Sequence, residues 1–295
     1  MNFDKLNHEF LNLPVDYLYH LGIDNTLHLE ELYRDVKFAV ITQTNEDAMI
    51  ISNTFAKEFY NIEENDFSCT PLYKTERFHF YKVGKAIIIS AGIGMPSTLI
   101  CLNEITKLFV HAKIYDPIFI YLSAADGLNC PIGSLVLNDK ILNSKFEDKF
   151  TSVECGIEYY YPTHLDTELN NAIYNYGVNY TDYIILNGSS IGAYDFYDEQ
   201  ARLDGFLELN YTKEEHDAYL NNCKDIGVKS LNMESLAFAG FCNQLEIRGS
   251  IVSAIINDRF ICDKVLIDIV EQNTIIRNAA HLYARFILSY NDQND

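Results

Sequence analysis

Apolar runs of strand length recur along the chain with stretches of helical period between them. Residues 36–42 precede a helical pattern at 45–60, residues 85–91 precede one at 96–112, and further runs lie at 117–124, 183–186 and 248–256. Continuous apolar runs fit strands buried on both faces, and their alternation with helices marks an α/β fold on a mixed, largely buried sheet. The stretch 265–290 predicts a helix that closes the sheet. Pro96 with Ser97, Asp166 with Thr167, and Thr212-Lys-Glu-Glu supply helix starts, because a fixed φ or a side-chain oxygen suits the first-turn N–H groups. No repeat, low-complexity tract or Pro/Gly/Ser linker interrupts the pattern, so a single domain over 35–295 with an N-terminal extension over 1–34 is expected.

Charge narrows the partners. Lys and Arg number 22 against 42 Asp and Glu, a formal charge of −20, and such a surface repels nucleic-acid phosphates and anionic membranes. No apolar run reaches the ~18–20 residues of a membrane span, and the start MNFDKLNHEF lacks the basic-then-apolar order of a signal peptide, so a cytoplasmic protein is expected. Seven scattered cysteines without a C-x-x-C fit reduced thiols. The eight histidines show no metal-ligand spacing, so no metal is expected.

In an open α/β sheet ligands gather at strand C-termini, which directs attention to the segments after Ile41, Ser90, Leu122, Leu186 and Ile256. Ser90-Ala-Gly-Ile-Gly-Met-Pro-Ser-Thr follows a strand and opens a helix, placing N–H groups where a polar ligand could dock; a tight turn with an N-cap explains the same pattern. In Asp195-Phe-Tyr-Asp-Glu-Gln-Ala-Arg-Leu-Asp-Gly205, Gln200 and Arg202 stand two apart and can read the polar edge of a planar heterocycle, with Phe196 as a stacking face; an ordinary surface salt bridge is the alternative. Asn232-Met-Glu-Ser235 puts a carboxylate before an apolar helix, where it can accept from a ribose diol or simply complement the helix dipole.

Taken together, DYLYHLGI, DVKFAVI, ERFHFYKVGKA, AGIGMPST, DFYDEQARLDG, NMES and IINDRF, in this order over most of the chain, resemble the animal-type uridine phosphorylases of the nucleoside phosphorylase-I superfamily. The resemblance implies a single α/β domain with a mixed, partly barrel-like central sheet flanked by helices. It also implies that Gln200, Arg202 and Phe196 hold uracil with Arg259 near a uracil oxygen, and that Glu234 and Met233 hold the ribose. His20 would reach a neighbouring subunit's ribose and Arg77 its phosphate, so that residues 1–34 help build a homodimer with shared sites. No cofactor is implied beyond phosphate as co-substrate.

The phosphate pattern is broken. The resemblance implies a glycine-rich loop, three arginines and a threonine around the anion, whereas this chain keeps only Arg77. The first loop reads Thr42-Gln-Thr-Asn-Glu-Asp47, with Gln43 in the formerly glycine-rich stretch and Asp47 at an arginine position; Tyr121 replaces another arginine and Ala124 the threonine. At about 1.5–3 kcal/mol per charge-assisted hydrogen bond, two lost arginines cost about 3–6 kcal/mol, or roughly a hundred- to ten-thousand-fold in affinity. Asp126 stands at a glycine position beside the nucleobase, so either the base shifts, or it offers a donor to this carboxylate, or the carboxylate turns outward. Three functions follow: phosphorolysis of uridine with weak or lost phosphate binding, nucleoside binding without turnover, or hydrolysis with Asp47 orienting water.

Overall fold

The computed structural model describes residues 1–63, 67–75 and 77–290, so Glu76 of the ERFHFYKVGKA stretch and the last five residues of the 35–295 domain lie outside the described residues. In chain order the strands are β1 (Tyr17–Leu18), β2 (Ile23–Asp24), β3 (Phe38–Thr42), β4 (Tyr73–Lys74), β5 (His79–Val83), β6 (Ala86–Ser90), β7 (Ile118–Gly127), β8 (Leu135–Leu142), β9 (Lys149–Glu154), β10 (Ile157–Pro162), β11 (Ile185–Gly192), β12 (Val228–Asn232) and β13 (Arg248–Asp258). The helices are α1 (Leu29–Tyr33), α2 (Asn45–Tyr60), α3 (Met95–His111), α4 (Thr167–Gly177), α5 (Lys213–Asp225), α6 (Ser235–Leu245) and α7 (Ile269–Ser289).

Nine strands form one sheet in the order β12-β11-β8-β13-β7-β3-β6-β5-β4. A second pairing of β12 with β7, Ser230 opposite Gly127 and Leu231 opposite Asp126, closes β7, β13, β8, β11 and β12 into a five-stranded mixed barrel. The remaining strands extend from β7 through β3, which runs parallel to both β7 and β6. Helices cover both faces, α3 and α6 on one and α2, α4 and α7 on the other, each over its own apolar core. This accounts for the continuous apolar runs of β3 and β6, whose residues are all buried.

The capping chemistry agrees with the expected helix starts. Asp166 Oδ1 accepts from Leu169 N at 2.8 Å, and Thr212 and Glu215 form a reciprocal capping box at the head of α5. Residues 1–34 are no detached arm: Asn2 N donates to Leu245 O at 2.7 Å, and Leu18, Leu21, Ile23, Leu29 and Tyr33 are buried in the core beneath α3. The run expected at 117–124 continues to Gly127, and between Ile255 and Asn257 the pairing of β13 with β7 slips by one residue, setting Asn257 opposite Asp126. That slip shapes the site. Among the described residues, no helix is long and apolar enough to cross a membrane.

Candidate nucleoside site

At the C-terminal ends of β7 and β12 a cavity of about 500 Å³ is lined by Gln43, Ile93, Ala124, Ala125, Asp126, Phe196, Gln200, Arg202, Leu231, Asn232, Met233, Glu234, Ile256 and Val265. It falls in the size range of small-molecule sites and has their character, mostly apolar with a few convergent polar groups. A second cavity of about 510 Å³ behind Arg259 shares none of these residues.

Glu234 is built into this cavity by backbone geometry. Asn232 Oδ1 accepts from Glu234 N at 3.2 Å and from Ser235 N at 2.9 Å, capping α6 from two residues back. The end of β11 presses on the same turn: a Cβ at Gly192 would lie 2.6 Å from Leu236 Cβ and 2.7 Å from Leu236 N. The Glu234 carboxylate, wholly buried, accepts from Gly94 N at 2.8 Å, Gln43 Nε2 at 2.9 Å and Met233 N at 3.2 Å. Gly94 reaches it with φ +94°, a conformation that suits glycine in the AGIGMPST turn. Burial pushes the Glu234 carboxyl up, and these three hydrogen bonds pull against it.

The second polar group is an ion cluster. Arg202 Nη1 donates to Asp126 Oδ2 at 3.0 Å, its Nε to Asp204 Oδ1 at 3.1 Å, and its Nη2 to the carbonyl of Asp263. Arg259 donates through Nε to Asp263 Oδ1 at 2.7 Å and through Nη2 to the Gln200 carbonyl at 2.9 Å, while its Nη1 lies 3.6 Å from Asp126 Oδ2. Asn257 Nδ2 completes the setting at 3.3 Å from Asp126 Oδ1. Burial pushes the Asp126 carboxyl up; Arg259, Arg202 and Asn257 pull it down. The Phe196 ring covers the Arg202 guanidinium, 4.2 Å from Cζ to centroid.

Of the residues expected to surround a base and ribose, Gln200, Arg202, Phe196, Met233 and Glu234 meet in the cavity. Arg259 does not: its side chain is fully buried behind Asp126 and braces the Gln200–Arg202 loop. Asp126 does not turn outward: it is buried near the end of β7, opposite the slipped β13 register, and faces Arg202. His20 and Arg77 lie apart from the cavity, together with Tyr19 and Thr75 at another surface. There Arg77 donates to Ser97 Oγ through Nε and Nη2, at 3.3 and 3.0 Å. His20 Nδ1 sits 2.6 Å from Glu104 Oε1, and Glu104 also accepts from the N–H groups of His20 and Leu21, so the imidazole is held with Nε2 outward.

At the positions other than Arg77 where the resemblance implies an anion site, the structure shows uncharged or acidic side chains. Gln43 is bonded to Glu234 and Ala124 offers only a methyl group. Tyr121 is buried in the core, its ring 5.6 Å from Phe238, and burial followed by the nearby Glu234 carboxylate drives its hydroxyl well above the ordinary range. Asp47 sits in the first turn of α2, where its N–H donates to Thr44 Oγ1 at 3.0 Å, and it lines no part of the cavity. Burial pushes its carboxyl up. Sequence reasoning missed Asn257, Asp204, Asp263 and Glu104. The acidic residues flanking Gln200–Arg202 and Arg259 were a usable signal for Asp204 and Asp263, and Glu104, an isolated acid within an apolar helix pattern, was its own signal; Asn257 left none.

The family model described as the phosphorylase superfamily matches residues 37–289, and the chain belongs to that superfamily. Proteins named as uridine phosphorylases are among those it is similar to. It is 30% identical over 251 residues to uridine phosphorylase 2 of Homo sapiens, covering 85% of this chain and 79% of the relative. It is 29% identical over 268 residues to inactive uridine phosphorylase B of Schistosoma mansoni, covering 88% and 87%. The crystal structure of the Schistosoma mansoni uridine phosphorylase in complex with 5-fluorouracil matches with a TM-score of 0.90 at 26% identity, covering 96% of this chain and 98% of that one.

Proposed function

We propose that this protein binds a pyrimidine nucleoside or its base in the cavity between β7, β12 and the 195–205 loop, with phosphorolysis weak or absent. One observation carries the reading. The base and ribose groups converge in the cavity, yet among the described residues Arg202 is the only cation lining it, and Arg202 is already bonded to Asp126 and Asp204. Within one chain a phosphate dianion beside Glu234 would meet a buried carboxylate and no free guanidinium on the cavity wall, an arrangement that opposes binding and that Arg77 of a second copy would offset only in part. The relative named inactive supports a silent member of this family.

In this reading Gln200, Arg202 and Phe196 hold the base, Arg259 braces them, and Glu234 with Met233 holds the ribose. His20 and Arg77, on a surface away from their own cavity, serve the site of a second copy in a homodimer. Residues 1–34 carry His20 and belong to that shared site. Seven unpaired cysteines suit a reducing compartment, in keeping with a cytoplasmic role in pyrimidine salvage or its regulation. Hydrolysis through Asp47 has no comparable support, because that carboxylate lies outside the cavity.

Calorimetry with pyrimidine nucleosides and bases, beside a uracil-release assay with and without phosphate, tests the proposal. Binding with little or no phosphate-dependent release is expected. Phosphate-dependent turnover at ordinary enzyme rates, or no binding of any of these compounds, would refute it.

A further inference from the structure

We infer that Asp126 makes this subsite selective for a pyrimidine bearing an amino group, of the cytosine type, over its 4-oxo counterpart. The inference rests on the nucleoside reading above and goes further by naming the base class. It follows from counting donors and acceptors on the cavity wall.

An arginine facing a cavity normally offers several N–H groups to a ligand carbonyl. Here four of the five Arg202 N–H groups already donate, to Asp204, Asp126 and the Asp263 carbonyl, and the one left on Nη1 can serve the ring carbonyl that both base types share. Beside that guanidinium the Asp126 carboxylate lines the same cavity. Its Oδ2 faces Arg202 and Arg259, while among the described residues Oδ1 has only Asn257 Nδ2, at 3.3 Å. A carboxylate oxygen has two lone-pair directions, so Oδ1 retains accepting capacity. Burial pushes this carboxyl up, but the two guanidiniums and Asn257 lie against its oxygens and stabilise the ionised form, which only accepts.

Gln43, Asn232 and Glu234 also line the cavity but are engaged with one another or with neighbouring backbone and Ser190, which leaves Gln200, 2% exposed, whose amide has no hydrogen-bond partner among the described residues. It supplies one acceptor and one NH₂ donor and suits either base by rotation about its last bond. The discriminating group is therefore Asp126. A 4-oxo group set against it places acceptor against acceptor, whereas a 4-amino group donates a charge-assisted hydrogen bond. Rejection of a ligand that leaves a buried polar group unmatched is stronger than rejection by shape alone.

The test is titration calorimetry of the full chain in phosphate-free buffer with cytidine, cytosine, uridine and uracil, repeated on Asp126→Gly and Asp126→Asn after their melting curves confirm folding. The parent should bind the amino-bearing member of each pair about 10- to 100-fold more tightly, the worth of one charge-assisted hydrogen bond. Asp126→Gly should reverse the order and Asp126→Asn should flatten it. Equal or tighter binding of uridine and uracil by the parent would overturn the inference while leaving the nucleoside site in place. If no compound binds the parent or either variant, the nucleoside reading fails and the inference with it. Should the variants not fold, the parent's own affinity ratio decides.

Discussion

Inorganic phosphate should leave the melting temperature of this protein almost unmoved. Take a competent phosphate site with a Kd of about 1 mM, the weak end for enzyme substrates. At about 50 mM phosphate, linkage then contributes RT ln(1 + 50), about 2.3 kcal/mol. Removing two guanidiniums at the minimum of about 1.5 kcal/mol each raises that Kd to about 0.15 M, and the same phosphate contributes only about 0.2 kcal/mol. At about 2–4 °C per kcal/mol for a chain approaching this size, the contrast is between a shift of roughly 5–9 °C and one below about 1 °C. Phosphate also stabilises proteins by exclusion from their surfaces, so each melt is compared with chloride at matched ionic strength and with a control protein lacking an anion site.

The partner variant is Asp47→Arg with Tyr121→Arg. Tyr121 is fully buried, so a guanidinium there needs a counter-charge, and Glu234 is near enough to raise the tyrosine's own hydroxyl. An arginine at 121 paired with Glu234 should fold and restore part of the phosphate-specific shift, measured by differential scanning calorimetry. A phosphate-specific shift of several degrees in the unmodified protein would refute the reasoning whatever the variant does.

Arg259→Ala should cost about 3–5 kcal/mol in denaturant unfolding, because it strands the Asp126 and Asp263 carboxylates behind the cavity; a loss under about 1 kcal/mol would contradict the bracing role. Burial raises the Glu234 carboxyl, so the folded state holds that proton more tightly than the unfolded chain; its stabilising contribution is complete below the ordinary glutamate range and is lost as pH rises through the elevated value. The difference in melting temperature between the parent and Glu234→Gln should therefore move in the parent's favour from about pH 8 down to about pH 5, and movement the other way would show the carboxyl lowered instead. Glu104→Ala orphans the buried N–H groups of His20 and Leu21 and should destabilise by about 2–5 kcal/mol, with Glu104→Gln milder; equal effects would argue against an acceptor role.

Much of the scaffold was legible because burial on both faces leaves long apolar runs. The helix at 45–60 has the expected limits, and β3, β6 and α7 lie within their expected spans. β8 escaped notice since its sequence LVLNDKIL is broken by polar residues, one of which, Asn138, is buried in a hydrogen-bond network with Ser230 and Ser253. The β9–β10 hairpin escaped because its residues are mostly exposed or half-buried and carry little apolar periodicity. In the site, local clusters were readable as clusters. The pairing of Asp126 with Arg202, 76 positions away, depends on the closure of β12 onto β7 and on the slipped register of β13, neither of which leaves a local signature.

That long-range arrangement also bears on whether the arginines present could serve an anionic ligand. Arg202 and Arg259 are fixed by Asp126, Asp204 and Asp263, and with Glu234 the neighbourhood holds four carboxylates against two guanidiniums. Freeing either arginine for an anionic ligand would leave buried carboxylates uncompensated, at about 3–5 kcal/mol for a broken buried pair, roughly what one or two charge-assisted contacts to phosphate would return. Borrowed charge therefore gives no net gain. A neutral ligand has no such conflict, because a nucleoside can hydrogen-bond to these groups while the ion pairs stay intact. Under the proposed reading the same balance means that an anion site would require new positive charge next to Glu234, and that redirecting the arginines already present will not supply it.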